Sequence, residues 1–487
     1  MKSILCLICW LTFATCTDAK QQTHNVASAD DVGSLIESGD LTAGDTIVWA
    51  DGVTSDVELD IVGVDGTENH PITLRAATPG GVILHGETQF KIGSKHWVIA
   101  GFHFAGKAGE FNSYNTFQFR SNNGTPAHHV RLTNCAFTNL TSDDDTSKWV
   151  LVFGRSNSID HCHFSGKNKK GALLTIELGY LKAGETANHR ISHNYFGEVT
   201  PQPGSDNETI RIGASQDQNK QARCVVERNY FVRCNGETEI ISSKSSYNVF
   251  KKNTFRQCDG SLVLRHGHHA RVEGNYFFGD GAQDAGGIRI SDSHHAITNN
   301  YLQDLTGSTW NAALSILGGK QRSGGSDNGY QAVDGIKLSH NSIFRCKRSI
   351  FLNNAKGSRA PTGVIANNLI SSSTGPLVTE DLSSAKLNWM GNLMHGAPIG
   401  IETDAKTGDP GLNRIDGLLR PDAAGPAANS AIKLDQTISA DIDGQKRPES
   451  GADIGADEVS GAIGEILSGP LSPADVGVSF LRGEGSK

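Results

Sequence analysis

Glu237-Thr238-Glu239 sets two carboxylates two residues apart, which in an extended strand puts both on one face. One repeat earlier, Asp206-Asn207-Glu208-Thr209-Ile210-Arg211-Ile212-Gly213 brings Asn207, a neutral oxygen donor, to the layer beneath that pair. Two carboxylates and an amide oxygen make a hard, oxygen-only site with positions left for water or a ligand carboxylate, which suits Ca2+ better than Zn2+. Cations follow closely: Lys244 stands five residues after Glu239, Arg265 twenty-one after Lys244, and then comes Arg289. Measured against a recurring asparagine, Lys244 lies nine residues before Asn253, Arg265 ten before Asn275 and Arg289 eleven before Asn300. The three are therefore expected to form a basic stripe on consecutive layers. Arg211 in Ile210-Arg211-Ile212 parallels Arg289 in Ile288-Arg289-Ile290. Each charge alone reads as solvated surface, but together they describe a place for an acidic ligand beside a cation. His266, His268 and His269 lack HExxH spacing and do not read as a zinc site.

What must position these residues is a repeat. A short amphipathic helix is expected over 28–39, with Ser28 as N-cap and Gly39 as terminator. Thereafter one pattern returns: Asn or His, one residue, then Phe, Leu or Ile. It appears at Asn194-Tyr195-Phe196, Asn229-Tyr230-Phe231, Asn253-Thr254-Phe255, Asn275-Tyr276-Phe277 and Asn300-Tyr301-Leu302, and continues from Asn341, Asn368 and Asn392. Asn134-Cys135-Ala136-Phe137 and His161-Cys162-His163-Phe164 are earlier variants. From Asn229 onward the intervals are 24, 22, 25, 41, 27 and 24 residues. A period near 24 with short strands and no long helices implies an all-β solenoid, a single-stranded right-handed parallel β-helix with an N-terminal helical cap. The asparagine of each coil is expected to take the left-handed turn and bond to the asparagine of the next, while the apolar residue two later points inward. Cys234, Cys258 and Cys346 recur at a fixed offset and read as small buried ladder residues, not disulfide partners. The 41-residue interval implies a loop around 318–325. The expected organisation is a signal peptide over 1–19, a cap over 20–40, the β-helix over 41–400, and irregular final coils with a C-terminal cap over 401–487.

The set Asn207, Glu237-Thr238-Glu239, Lys244 and Arg265-His266-Gly267, followed by the strand Gly286-Gly287-Ile288-Arg289-Ile290, resembles polysaccharide lyase family 6, the alginate lyases and chondroitinase B. The resemblance covers essentially all of the chain after its leader. It implies that Asn207, Glu237 and Glu239 hold Ca2+, that Lys244 is the Brønsted base and Arg265 the acid, and that Arg211, His266 and Arg289 bind substrate. The implied activity is β-elimination on alginate, with dermatan sulfate as the alternative substrate. Some members carry a second β-helix domain, for which 487 residues leave no room. The roles agree with the chemistry: the base must be a neutral amine, and positive neighbours favour that form. Arg265 gives up a proton reluctantly, so stabilising the leaving oxygen is its natural part. A pectinase-type hydrolase would need paired carboxylic acids, and Asp143-Asp144-Asp145 is the only dense acidic run. A non-catalytic glycan-binding β-helix would have no need of a lysine beside a metal site.

The net charge of -8, from 44 Lys and Arg against 52 Asp and Glu, argues against nucleic acid as a partner. An acidic polysaccharide must then be held by local positive charge. Residues 1–19 carry Lys2, an apolar run from Ile4 to Ala14 and a small-residue exit at Thr17-Asp18-Ala19, the form of an export signal. Phe13-Ala14-Thr15-Cys16 also fits a lipoprotein cleavage box, which would make Cys16 an anchor in place of a membrane span. The expected location is periplasmic, secreted or on the outer membrane.

Overall fold

The structure, a computed structural model, describes residues 21–320, 328–435, 438–459 and 468–482. The expected leader and Cys16, and residues 321–325 of the expected loop, lie outside these. Among the described residues three long parallel sheets of 14, 14 and 12 strands, here the first, second and third, run side by side, each joining a strand to its counterpart one coil away. One coil illustrates the unit. Val225–Glu227 lies in the first sheet, Tyr230–Cys234 in the second and Glu239–Lys244 in the third, before Val249–Lys251 re-enters the first. Left-handed residues mark the corners, here Arg228, Arg233 and Tyr247 with φ of 51°, 48° and 64°.

The core follows from the repeat. Phe137, Phe164, Phe196, Phe231, Phe255 and Phe277 stack ring on ring at 4.6 to 5.1 Å, close to the spacing of paired strands. Beside them, Asn194, Asn229, Asn253, Asn275, Asn300, Asn341, Asn368 and Asn392 form a buried ladder. In each, the backbone N–H and the side-chain amide donate to the Oδ1 of the next. The left-handed residue is the one before the asparagine (His193, Arg228, Lys252), not the asparagine itself. The corner thus turns the chain one step earlier and leaves the amide pointing inward along the stack. Register also realigns the early coils: Cys162, not His161, takes the ladder place, its N–H donating to Asn194 Oδ1 at 2.8 Å. The six cysteines after the leader are buried and free.

Helix α1 (Ala29–Ser38) has Ser28 as N-cap in a capping box and Gly39 as its left-handed C-cap. It is preceded by strand Thr23–Val26, which already pairs in the first sheet. Lys406–Thr407 still pairs in parallel with Leu393–Gly396 in the second sheet, a short final coil, and after it the stacking stops. The residues that follow run back along the outside of the second sheet. Leu419 N–H donates to the Tyr301 hydroxyl, Ala456 to Ser342, Leu471 to Thr254 and Gly477 to the His193 carbonyl, and Phe480 reaches His103. The cause is visible in Tyr195-Phe196, Tyr230-Phe231 and Tyr276-Phe277-Phe278: neighbouring aromatics face both sides of the sheet, and the outer face must be covered.

Candidate active site

The third sheet carries the site. Strands Ile210–Ile212, Glu239–Lys244, Ser261–His266 and Ile288–Ile290 lie in consecutive coils, their alternate residues turned away from the core. Asn207 and Glu237 meet where the backbone enters this sheet. Gly236 permits the approach, because a Cβ there would sit 2.3 Å from the Asn207 carbonyl oxygen. The Asn207 N–H donates to Glu237 Oε1 at 2.8 Å, and Asn207 Oδ1 accepts from Gly171 N–H at 3.2 Å. Glu239 Oε2 accepts from Ser242 Oγ at 2.5 Å, and its Oε1 lies 3.4 Å from the Arg289 guanidinium.

The expected basic stripe is divided into two rows. Arg211, Ser242, Val263 and Arg289 pair across the strands, so the two arginines share one row. Lys244 lies opposite His266, and the register shifts between Ser243 and Lys244, so Arg265 is an extra residue in a β-bulge. A bulge re-aims side chains, here turning Arg265 toward the loop above the sheet. Its Nη2 donates to the Asn328 carbonyl at 3.0 Å, its guanidinium lies 3.7 Å from the Tyr330 ring centre, and Nη1 has no hydrogen-bond partner among the described residues. His266 is buried. Gly267 follows at φ +85°, where a Cβ would meet the Ser245 carbonyl at 2.4 Å, and the chain turns there.

Arg211 is held on the sheet by Asp206 and by Glu177 at 3.8 Å. Arg289, expected to meet substrate, has a side chain only 3% exposed. Its guanidinium is shared among Glu239, the Trp310 carbonyl at 3.1 Å and Asn311 Oδ1 at 3.1 Å, which makes it a brace for Glu239. Asp143, Asp144 and Asp145 form an exposed turn among non-strand residues.

Glu208 was not singled out by sequence reasoning. Its carboxylate Oε1 lies 3.1 Å from Lys244 Nζ, and Oε2 is buried without a hydrogen bond. A signal existed: Glu208 stands two residues before Ile210 as Glu239 stands two before Ile241, and those isoleucines pair. Trp310, Tyr330 and Asn311 were missed because they sit in irregular segments.

Three carboxylates, Glu208, Glu237 and Glu239, thus face two cations, Lys244 and Arg289. Burial, reinforced by the Glu208 carboxylate, pushes Glu237 up to about 7. An oxygen-only donor set with surplus negative charge and a buried, unbonded Glu208 oxygen fits a hard divalent cation such as Ca2+.

A family model described as Chondroitinase B matches residues 26–385. Among solved structures, the family 6 alginate lyase AlyGC is 33% identical with a TM-score of 0.76; the match covers 82% of this chain and 55% of AlyGC, so the chain spans about half that enzyme's length. A mannuronic-acid-specific family 6 lyase from the human gut microbiota is 27% identical with a TM-score of 0.67, covering 77% of this chain and 87% of its own. A family 6 alginate lyase solved with a trisaccharide shares the fold at 21% identity and a TM-score of 0.65, covering 83% and 92%. No curated protein sequence matches significantly. Matched over residues 26–385 and built as a parallel β-helix, the chain belongs to polysaccharide lyase family 6, the family of chondroitinase B and the alginate lyases.

Proposed function

We propose that the protein is an exported, Ca2+-dependent lyase that cleaves alginate by β-elimination, leaving an unsaturated uronate at the new chain end. The observation that carries the reading is the placement of Lys244 and the bulged Arg265 on adjacent strands, the strand of Lys244 also carrying Glu239. Asn207, Glu237 and Glu239 would hold Ca2+, whose charge against the substrate carboxylate makes the neighbouring C5 proton acidic. Lys244 takes that proton as a neutral amine. Glu208, 3.1 Å away, then holds the ammonium that results. As the C4–C5 double bond forms and the C4–O4 bond breaks, Arg265 directs its uncommitted Nη1–H at the leaving O4, which takes its proton from water, while Tyr330 and Asn328 fix the guanidinium plane. Arg289 keeps Glu239 in place from two coils further on, His266 lies buried opposite Lys244, and Arg211 is the partly exposed cation left to face substrate.

Alginate is favoured because the 33%-identical structural relative is named an alginate lyase. Incubation with alginate in the presence of Ca2+ should raise the ultraviolet absorbance of an unsaturated uronate. Dermatan sulfate in a parallel reaction separates the alternative substrate, and silence with both would sink the lyase reading. Chelator and Glu239→Ala should each lower the rate, and indifference to both would remove Ca2+ from the mechanism. Export is read from residues 1–19, and the amino terminus of the mature protein, processed after Ala19 or at Cys16, tests it.

A further inference from the structure

Above the coil that carries Arg289, three side chains from separate segments converge on one spot. Trp310 lies in the turn Thr309–Asn311, Lys356 follows strand Ile350–Asn353, and Tyr330 comes from the segment in which Gln331 bridges to Lys320. The Trp310 and Tyr330 rings are 6.0 Å apart, and Lys356 Nζ lies 5.1 Å from the first and 5.5 Å from the second. Lys356 is exposed, both rings are half-buried, and no carboxylate pairs with this lysine among the described residues. The spot is continuous with the reacting centre: Arg265 rests on the same Tyr330 ring, and the backbone of Trp310 holds Arg289.

We infer that Trp310, Tyr330 and Lys356 form a clamp for one uronate residue of the substrate next to the bond that is cut. Two aromatic faces supply the apolar contact that the C–H face of a pyranose ring seeks, and a mobile ammonium above them supplies the charge for its carboxylate. Arg289 does not serve that second carboxylate, because burial and Glu239 commit it. In the unliganded protein the Lys356 ammonium lies against the rings, held by their negative faces, and a sugar carboxylate draws it outward. The clamp rests on the lyase reading above and extends it with a binding subsite three to four coils beyond Lys244.

The test uses binding, with turnover as a separate readout. In a Lys244→Ala chain with Ca2+, titration with saturated alginate hexamers should change tryptophan fluorescence saturably. Adding Trp310→Phe should remove most of that change, and adding Lys356→Gln should weaken binding about tenfold, the loss of one charge-assisted contact. Lys356→Arg should restore it, and thermal midpoints confirm that each variant is folded. In the Lys244-containing enzyme, Lys356→Gln should raise KM for alginate by a similar factor. Binding within twofold of the parent in Lys356→Gln, together with a retained signal in Trp310→Phe, overturns the clamp. If alginate is cleaved in that case, the lyase reading stands alone; if alginate is neither cleaved nor bound, both fall.

Discussion

Lys244 and Glu237 carry the most distinct consequences at the level of single side chains. Lys244→Ala removes the amine proposed as base and should cut turnover by a factor of roughly 100 to 10,000. Because the side chain is partly exposed and its one charge partner among the described residues is Glu208, the thermal midpoint should move little. A collapse of the fold would show that the lysine is structural. Glu237 would set a pH dependence for the proposed Ca2+ site. Burial and the Glu208 carboxylate hold it near 7, so a cation must displace a proton at lower pH. Ca2+ affinity should be full above about 7 and fall by up to about tenfold per unit below it. Calorimetric titration at pH 6 and pH 8 measures this, and Glu237→Gln should weaken binding while flattening its pH dependence.

The stacked element that holds the site is the asparagine ladder with its neighbouring rings. Asn275 accepts at Oδ1 from both the N–H and the side chain of Asn253, and donates to Asn300 and to the Phe250 carbonyl. Asn275→Ala strands several buried groups at once and should cost about 3 kcal/mol, read as a lower denaturant midpoint. The ladder faces away from the third sheet's groove, so residual activity under native conditions should stay near that of the parent. The β-bulge is the other decisive element. Arg265 escapes the row that counting from Asn275 assigns it because one extra residue enters the strand between Ser243's partner and Lys244's partner.

For the molecule as a whole, the returning tail matters most. Among its described residues, Asp441, Asp443, Asp453, Asp457 and Glu458 are buried with Arg420 and Arg447, a surplus of acid inside the protein. Burial pushes Asp441 up to about 6 and Glu458 up to about 7. A carboxylate raised above its unfolded value contributes stability that is complete below about 4 and is lost as pH rises through the folded value. Glu458→Gln should therefore gain on the parent as pH goes from 5 to 8, measured as the difference in thermal midpoint. Taking the difference matters, because His163, His189, His295 and His340, all lowered by burial, act in the opposite sense in both proteins.

Counting along the chain was enough for the solenoid, its period and the inward ladder, because each depends on spacing within one coil. It also brought Asn207, Glu237, Glu239, Lys244 and Arg265 onto neighbouring coils, without fixing the register between them. Tertiary structure alone decided what depends on register between coils or on segments outside the repeat. Glu208 meets Lys244 across 36 residues, Arg289 braces Glu239 across 50, and Tyr301 receives Leu419 across 118. A single-residue bulge shifts such pairings without altering composition or period, and the outer aromatic faces state that cover is needed without naming the segment that supplies it.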